Sequence, residues 1–303
     1  MVYTIRRDER ARVTGAELVW STEDLGQYSN LFPIELDGKN HLLGYHRDDG
    51  GLDIFHLIDS PPWVNKLPVS ARINPGYDHI EPFVMGNLTH LMCYSSKGGA
   101  FEFFGLAADG FSLSEPFRYF RDREPTVTLG FTTVKALTSM SQLGILGYNF
   151  DDGHVATFRL SVRTTSPPGV PPLALSPVSS HYWARGWTRF AFFRFGGENF
   201  FLKTNVVKPN VNIDHVLDDL SGSVPVGSHL DLHHADRLGI VRPVELADEA
   251  PHFATYEKTG EVTLNRIRSD CLGWTTVVSF KSKENAVHLV PYAIGSKAMM
   301  IVS

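Results

Sequence analysis

An all-β repeat fold is what this sequence predicts, and three observations carry it. The stretch Gly76 to Gly99, GYDHIEPFVMGNLTHLMCYSSKGG, alternates at period two. It reads as a strand (His79 to Met85), a polar turn at Gly86-Asn87, a second strand (Thr89 to Tyr94) and another glycine turn. The same grammar recurs along the chain. Tyr28 precedes Tyr45 by 17 residues, Tyr77 precedes Tyr94 by 17, Phe131 precedes Tyr148 by 17 and Trp187 precedes Thr204 by 17. Leu238 precedes Tyr256 by 18, and Trp274 precedes Tyr292 by 18. Helical periodicity is almost absent, which argues against helical solenoids and doubly wound sheets. Six degenerate hairpin units of three strands plus a variable fourth predict a six-bladed β-propeller.

The units follow in order. A short alternating strand at residues 2–6 (VYTIR) precedes the first unit and is expected to pair into the last blade, closing the ring and removing exposed edges. The repeats run near 28–59, 77–109, 131–163, 187–219, 238–270 and 274–303. Repeat one supplies LFPIEL, HLLGY and LDIFHLI, repeat two IEPFVM, HLMCY and AFEFFGL, and repeat three TTVKAL, GILGY and HVATFRL. The connection SPPGVPPLALSP at residues 166–177 cannot be a central strand, because proline lacks the ladder donor. Residues 164–182 are therefore expected to form a long lid-like loop at one rim. Repeat four supplies FAFFRF, NFFLKT and VNIDHVL, and repeat five IVRPVEL, HFATY and EVTLNRI. Repeat six supplies TTVVSF, HLVPY and AMMIVS, although the short gap from Ile267 to Trp274 also lets residues 274–280 belong to blade five.

Composition bounds the function. The 303 residues are 43% hydrophobic and 20% charged, enough for one large closed unit. A net charge of −5 and a pI near 6.2 supply no basic field, so no nucleic-acid partner is expected. No apolar run of membrane-spanning length exists, so no membrane partner is expected. The start, MVYTIRRDERAR, lacks an apolar signal region, and two cysteines, Cys93 and Cys271, are too few for a disulfide framework. Both point to a reducing, cytoplasmic compartment. No GxSxG, GxxxxGK[ST], GxGxxG or HExxH motif occurs, so no cofactor is expected. The oligomeric state stays open.

Positions that repeat are read as structural. Four residues before the second-strand tyrosine stands His41, His90, His252 or His288, on the same strand face as that tyrosine. Each is expected to hydrogen-bond locally inside its blade instead of joining a metal ring. The aromatics Tyr28, Tyr77, Phe131, Trp187 and Trp274 are expected to pack between blades. His229, Asp231 and His233 share a strand face, a two-histidine, one-carboxylate set, but sit in the connection between blades four and five. No metal is expected.

Positions that differ from blade to blade are the candidate site. Two residues past the aromatic lie Asn30, His79, Thr133, Arg189, Ile240 and Thr276; four past it lie Phe32, Glu81, Lys135, Ala191, Arg242 and Val278. Both sets face one side of the strand nearest the axis. Charge in such a strand is costly unless it is paired or serves a site. Glu81, Lys135 and Arg242 therefore either converge on a pocket or form an ion-pair network that plugs the channel. The candidate catalytic residues are His79, Glu81, Lys135, Arg189 and Arg242. Candidate substrate contacts are Asn30, Phe32, Tyr77, Thr133, Trp187 and Thr276.

The unit aromatic-x-x-φ-x-P…H-L-L-x-Y, here YSNLFPIELDGKNHLLGY and YDHIEPFVMGNLTHLMCY, resembles the degenerate propeller repeats of fungal and bacterial lectin-like proteins. More loosely, the chain is similar to the lectin-like propellers that serve fungal natural-product pathways as hetero-Diels–Alderases. The resemblance covers the repeat grammar of nearly the whole chain and transfers no catalytic residue. It implies two functions. A lectin repeats its sugar-binding residues in every blade to gain avidity. A cofactor-free cyclase or pericyclase needs one asymmetric pocket for a small apolar intermediate. The divergent inner positions and only five tryptophans favour the cyclase, with the lectin as alternative.

Overall fold

A computed structural model of the chain describes residues 1–9, 12–21, 25–85, 88–107, 113–114, 117–119, 130–139, 142–162, 173–208, 210–230, 238–246, 250–294 and 296–303. Strands numbered in chain order form six four-stranded antiparallel sheets around one axis, a six-bladed β-propeller. Nearest the axis run β3 (Asn30–Leu36), β7 (His79–Met85), β11 (Thr133–Ser139), β15 (Trp187–Phe195), β19 (Leu238–Val244) and β23 (Leu289–Ile294). Outside them lie β4 (Lys39–Tyr45), β8 (Leu88–Ser95), β12 (Gln142–Tyr148), β16 (Glu198–Asn205), β20 (His252–Glu257) and β24 (Lys297–Val302). The third ring is β5 (Gly51–Leu57), β9 (Ala100–Leu106), β13 (His154–Val162), β17 (Asn210–Val216), β21 (Glu261–Ile267) and β1 (Val2–Arg7). The outer ring is β6 (Val64–Arg72), β10 (Phe117–Tyr119), β14 (Leu173–Tyr182), β18 (Ser223–Leu230), β22 (Trp274–Lys281) and β2 (Val13–Trp20). Among the described residues, no helix is long and apolar enough to cross a membrane.

The sixth blade departs from the sequence reading. Its order is β2-β1-β24-β23, so two N-terminal strands complete it, not one. Tyr3 pairs with Met300 and Thr4 with Met299. TTVVSF is the outer strand of blade five, where Leu264 pairs with Val278 and Ile267 with Trp274. HLVPY is consequently the innermost strand of blade six. The spacing from Trp274 to Tyr292 crosses a blade boundary and matches the repeat only numerically.

A second correction concerns residues 164–182. Leu173–Tyr182 is the outer strand of blade three, pairing along β13 from Val162↔Leu173 to His154↔Tyr182. Pro177 is accommodated there because an outer strand has one unpaired edge. The lid reading fails for this half; residues 163–172 lie outside the described residues.

Alternating side chains of each sheet feed the two joints beside it. Six buried apolar clusters result, one per blade–blade joint. Between blades two and three, for instance, Tyr94, Phe101, Phe103, Phe131 and Phe158 are all fully buried. The repeated tyrosine adds a polar clip at four joints. The Tyr45 phenol donates to Asn74 O (3.1 Å) and accepts the Tyr77 N–H (3.2 Å), and the Tyr94 phenol accepts the Phe131 N–H (3.2 Å). Tyr148 donates to Ala184 O (3.0 Å) and accepts the Trp187 N–H (3.1 Å). Tyr256 donates to Lys283 O (3.0 Å) and accepts the Ala286 N–H (2.6 Å). Each clip satisfies a backbone donor at or just before the next inner strand, which would otherwise be buried unpaired. Gly44 and Gly147 seat the inter-blade rings: a Cβ at either would lie 2.5 Å from the Tyr28 ring or 2.7 Å from the Phe131 ring.

Blade four has Thr204 where the tyrosine stands and is braced differently. Lys203 Nζ is buried against Asp214 Oδ2 at 2.8 Å, 3.9 Å from the Trp183 ring centre and 4.7 Å from that of Trp187. Burial pushes the Lys203 pKa down, and Asp214 opposes this.

Candidate axial site

The free edges of the six inner strands surround the axis, so their period-two positions decide what the channel contains. His79 and Glu81 on β7, Thr133 and Lys135 on β11, Asn30 on β3, Arg189 on β15 and Arg242 on β19 line one cavity of about 210 Å³. A second of about 310 Å³ shares Asn30, Glu81, Lys135 and Arg242 and adds Phe32, Pro33, Pro82, Pro243, Val290, Pro291 and His288. One end of the combined space is polar, at the starts of the inner strands. The other is walled by prolines and aliphatics.

Proline recurs at one depth because the sequence repeats φ-x-P in LFPIEL, IEPFVM, VRPVEL and LVPYAI. A strand with one unpaired edge tolerates the missing N–H. Four prolines therefore put a rigid apolar collar beneath the charged residues.

Within the polar end, Lys135 Nζ and Glu81 form a hydrogen-bonded ion pair joining blades two and three. Both remain partly solvated, at 27% and 22% exposure, so the pair orders the wall more than it stabilises the fold. The plug reading is thus half met: an ion pair forms, yet open volume remains beside it.

Arg189 reaches the channel by a different route from its neighbours. The register between β15 and β16 slips between Thr188 and Ala191, a β-bulge, and Arg189 adopts a left-handed φ of 48°. A non-glycine residue held there costs of order 1 kcal/mol, so the surrounding ladder over-determines it. The bulge buries Phe190 at the joint between blades three and four and aims Arg189 across to blade five. There Nε donates to Gly239 O (3.4 Å) and Nη1 to Thr188 Oγ1 (3.1 Å).

Arg242 is exposed to the open channel, with protein packed closely around it. Its Nη1 donates to Val241 O at 3.1 Å. Burial lowers its pKa and nearby Glu81 opposes this; a guanidinium stays charged regardless. Burial also lowers the pKa of His79, more than Glu81 and Asp78 raise it, so the imidazole is neutral at pH 7.

Of the other predicted contacts, Asn30, Phe32 and Thr133 line the cavities. Three do not. Thr276 lies on outer strand β22, bonded to Asn265 Oδ1 at 2.9 Å, far from the axis. Tyr77 is buried between blades, donating to Glu102 Oε2 at 2.6 Å. Trp187 is buried beneath Lys203. Both aromatics pack as joints, as their recurrence implies.

His41, His90 and His252 do bond locally, each Nδ1 lying 2.8–3.0 Å from the carbonyl two residues before it. His288 does not belong to that set: it lines the larger cavity, and its Nε2 lies 2.7 Å from Tyr28 O of blade one. Sequence reasoning missed it because its spacing to Tyr292 mimics the structural histidines. His229 falls on outer strand β18, while Asp231 and His233 lie outside the described residues. Among the described residues, no group of three or more His, Cys, Asp or Glu is placed to hold a metal ion.

No family model and no curated protein matches this sequence. Solved structures do match in fold. A β-1,3-galactosidase of glycoside hydrolase family 43, solved with galactodeoxynojirimycin, is 9% identical over 92% of this chain and 98% of its own, with a TM-score of 0.53. A putative 6-phosphogluconolactonase from Bacteroides fragilis is 13% identical over 87% of each chain, with a TM-score of 0.51. An exo-β-1,3-galactanase from Clostridium thermocellum is 11% identical over 88% of this chain and 67% of its own, with a TM-score of 0.50. The chain therefore shares its fold with carbohydrate-active enzymes and lactonase-like proteins. At such identities the likeness is one of architecture and carries no site residue across.

Proposed function

We propose that the chain is a cofactor-independent cyclase or pericyclase, of the hetero-Diels–Alderase type, acting on one small oxygenated and largely apolar molecule in the axial cavity. The observation that carries this reading is the convergence of unrepeated charged residues on a single cavity whose remaining wall is proline and aliphatic side chains. Such chemistry needs a preorganised wall to hold a flexible substrate in a reactive geometry. It also needs fixed donors where a carbonyl oxygen gains electron density. The proline collar with Phe32 supplies the first, and Lys135, Arg189 and Arg242 the second. Neutral His79 is placed to take a proton, and Glu81 holds Lys135 in position.

Glycoside hydrolysis fits these residues less well, since it uses two flanking carboxylates. Glu81 is the one carboxylate among the described residues lining either cavity, and Lys135 engages it. A lectin would need similar sites in several blades, and the inner positions differ in each. The test is product formation from candidate polyene or quinone-methide intermediates by the purified chain. The variants are Lys135→Ala, Arg189→Ala, Arg242→Ala and His79→Ala. At least one should lose tenfold or more in rate; unchanged rates in all four place the site elsewhere. Saturable glycan binding at several sites per chain would support the lectin.

A further inference from the structure

The charges at the polar end do not balance. Glu81 and Lys135 neutralise each other, and His79 carries no charge at pH 7. Arg189 and Arg242 remain. Among the described residues neither forms an ion pair with a carboxylate: Glu81 lies near Arg242 but is engaged by Lys135, and the arginines' hydrogen bonds go to the Gly239 and Val241 carbonyls and the Thr188 hydroxyl. Both line the 210 Å³ cavity, and Arg189 bonds to the same strand, β19, that carries Arg242. Two guanidiniums lining one cavity leave a net positive charge there that an anion would neutralise. A bulge with a left-handed residue turns one of them there instead of out to solvent.

We infer that Arg189 and Arg242 form a clamp for the carboxylate or phosphate group of a small organic anion, whose apolar part lies against Phe32 and the proline collar. The planar forks of two guanidiniums suit an oxyanion, each offering paired N–H donors to its oxygens. Such charge-assisted contacts, partly shielded from water, resist salt screening better than exposed ones. The inference rests on the proposed axial site but narrows its substrate: one end must be anionic, beyond carrying a carbonyl. Lys135, held by Glu81, is then a wall of the site and not a third anchor.

The test uses the whole chain and three probes: inorganic phosphate, phthalate (a flat dicarboxylate) and the neutral dimethyl ester of phthalate. Titration calorimetry and melting shifts should show phosphate or phthalate binding one per chain, with the diester at least tenfold weaker. Phthalate alone assigns a carboxylate and phosphate alone a phosphate ester; both outcomes support the clamp. Arg189→Gln and Arg242→Gln should each weaken binding tenfold or more, and Arg242→Lys should restore part of it. Lys281→Gln, on the exposed outer strand β22, should change nothing. Binding that survives in both arginine variants, or no binding by either anion, overturns the clamp. A diester that binds as tightly as the diacid also overturns it, while leaving the axial cavity of the proposed function standing. Product formation that depends on the arginines without any anion binding separates the two in the same way.

Discussion

Replacing Tyr148 with phenylalanine removes one oxygen at the joint between blades three and four. The ring is fully buried, so its packing with Trp183 and Phe190 is retained. What changes is the clip. The Trp187 N–H, now 3.1 Å from the phenol oxygen, loses its acceptor inside a residue that is 5% exposed. An orphaned buried donor costs roughly 1–3 kcal/mol. Ala184 is exposed, so its carbonyl turns to water and adds little. With an unfolding entropy of ~2.1 cal/mol/K per residue, a chain of 303 residues loses about 3 °C in Tm for a central ~2 kcal/mol. Scanning calorimetry measures that, and amide exchange at Trp187 reports the joint directly, with protection expected to fall. The effect should also reach the axial site, because Trp187 stands two positions before the bulged Arg189. Tyr182→Phe, at a side chain 71% exposed, is the control and should change nothing. A Tyr148→Phe protein with wild-type Tm and unchanged Trp187 protection would refute the clip as a stabilising device.

Four other outcomes follow from the same reasoning. Lys203→Met should cost about 3–5 kcal/mol in urea unfolding by stranding buried Asp214, and Lys203→Met with Asp214→Leu should recover most of it. Burial lowers the pKa of His41, His79, His90, His154, His181 and His288. Between those lowered values and about 6.5 the unfolded chain binds more protons, so stability should drop as pH falls from 7 to 5; a flat urea midpoint over that range contradicts the burial reading. Glu81→Gln, by releasing Lys135, should slow product formation at least tenfold with less than ~1 kcal/mol change in stability, the pair being partly solvated. Thr276→Ala should leave both activity and probe binding at wild-type levels, since Thr276 lies on an outer strand.

Strand-level repetition was legible because a hairpin of fixed length places an aromatic two residues before the strand partner of a tyrosine, at a constant interval, in blades one to three. The count of six was legible too, but spacing left residues 274–280 open between blades five and six and supplied blade six with one N-terminal strand instead of two. Its two outer members lie at the opposite end of the chain, and local spacing cannot report a pairing over that separation. Trp274 satisfied the interval by accident, and Thr276 became a false site residue with it. At the axis, period two placed His79, Glu81, Lys135 and Arg242 along one cavity, because an uninterrupted strand keeps its alternation. Arg189 also came out at the channel, but through a bulge that no periodicity reveals. Tyr77 and Trp187 were misjudged as contacts although their recurrence already marked them as joints. His288 was hidden by the opposite error, a coincidental match to a structural pattern.

The partners of the closing blade have a temporal consequence. Thr4 and Met299 are 295 positions apart in the chain yet neighbours in one sheet. At ribosomal rates of roughly 5–20 residues per second, the first two strands emerge some 15–60 seconds before β24 exists to receive them. During that interval Val2, Tyr3 and Ile5, all buried in the finished ring, have no sheet to enter. Five blades can stack as they are made, but the ring cannot lock until β24 has been made. A circular permutant that joins residues 303 and 1 and opens the connection between β2 and β3 would give every blade consecutive strands. It should reach the native state without that delay and leave less aggregated protein behind.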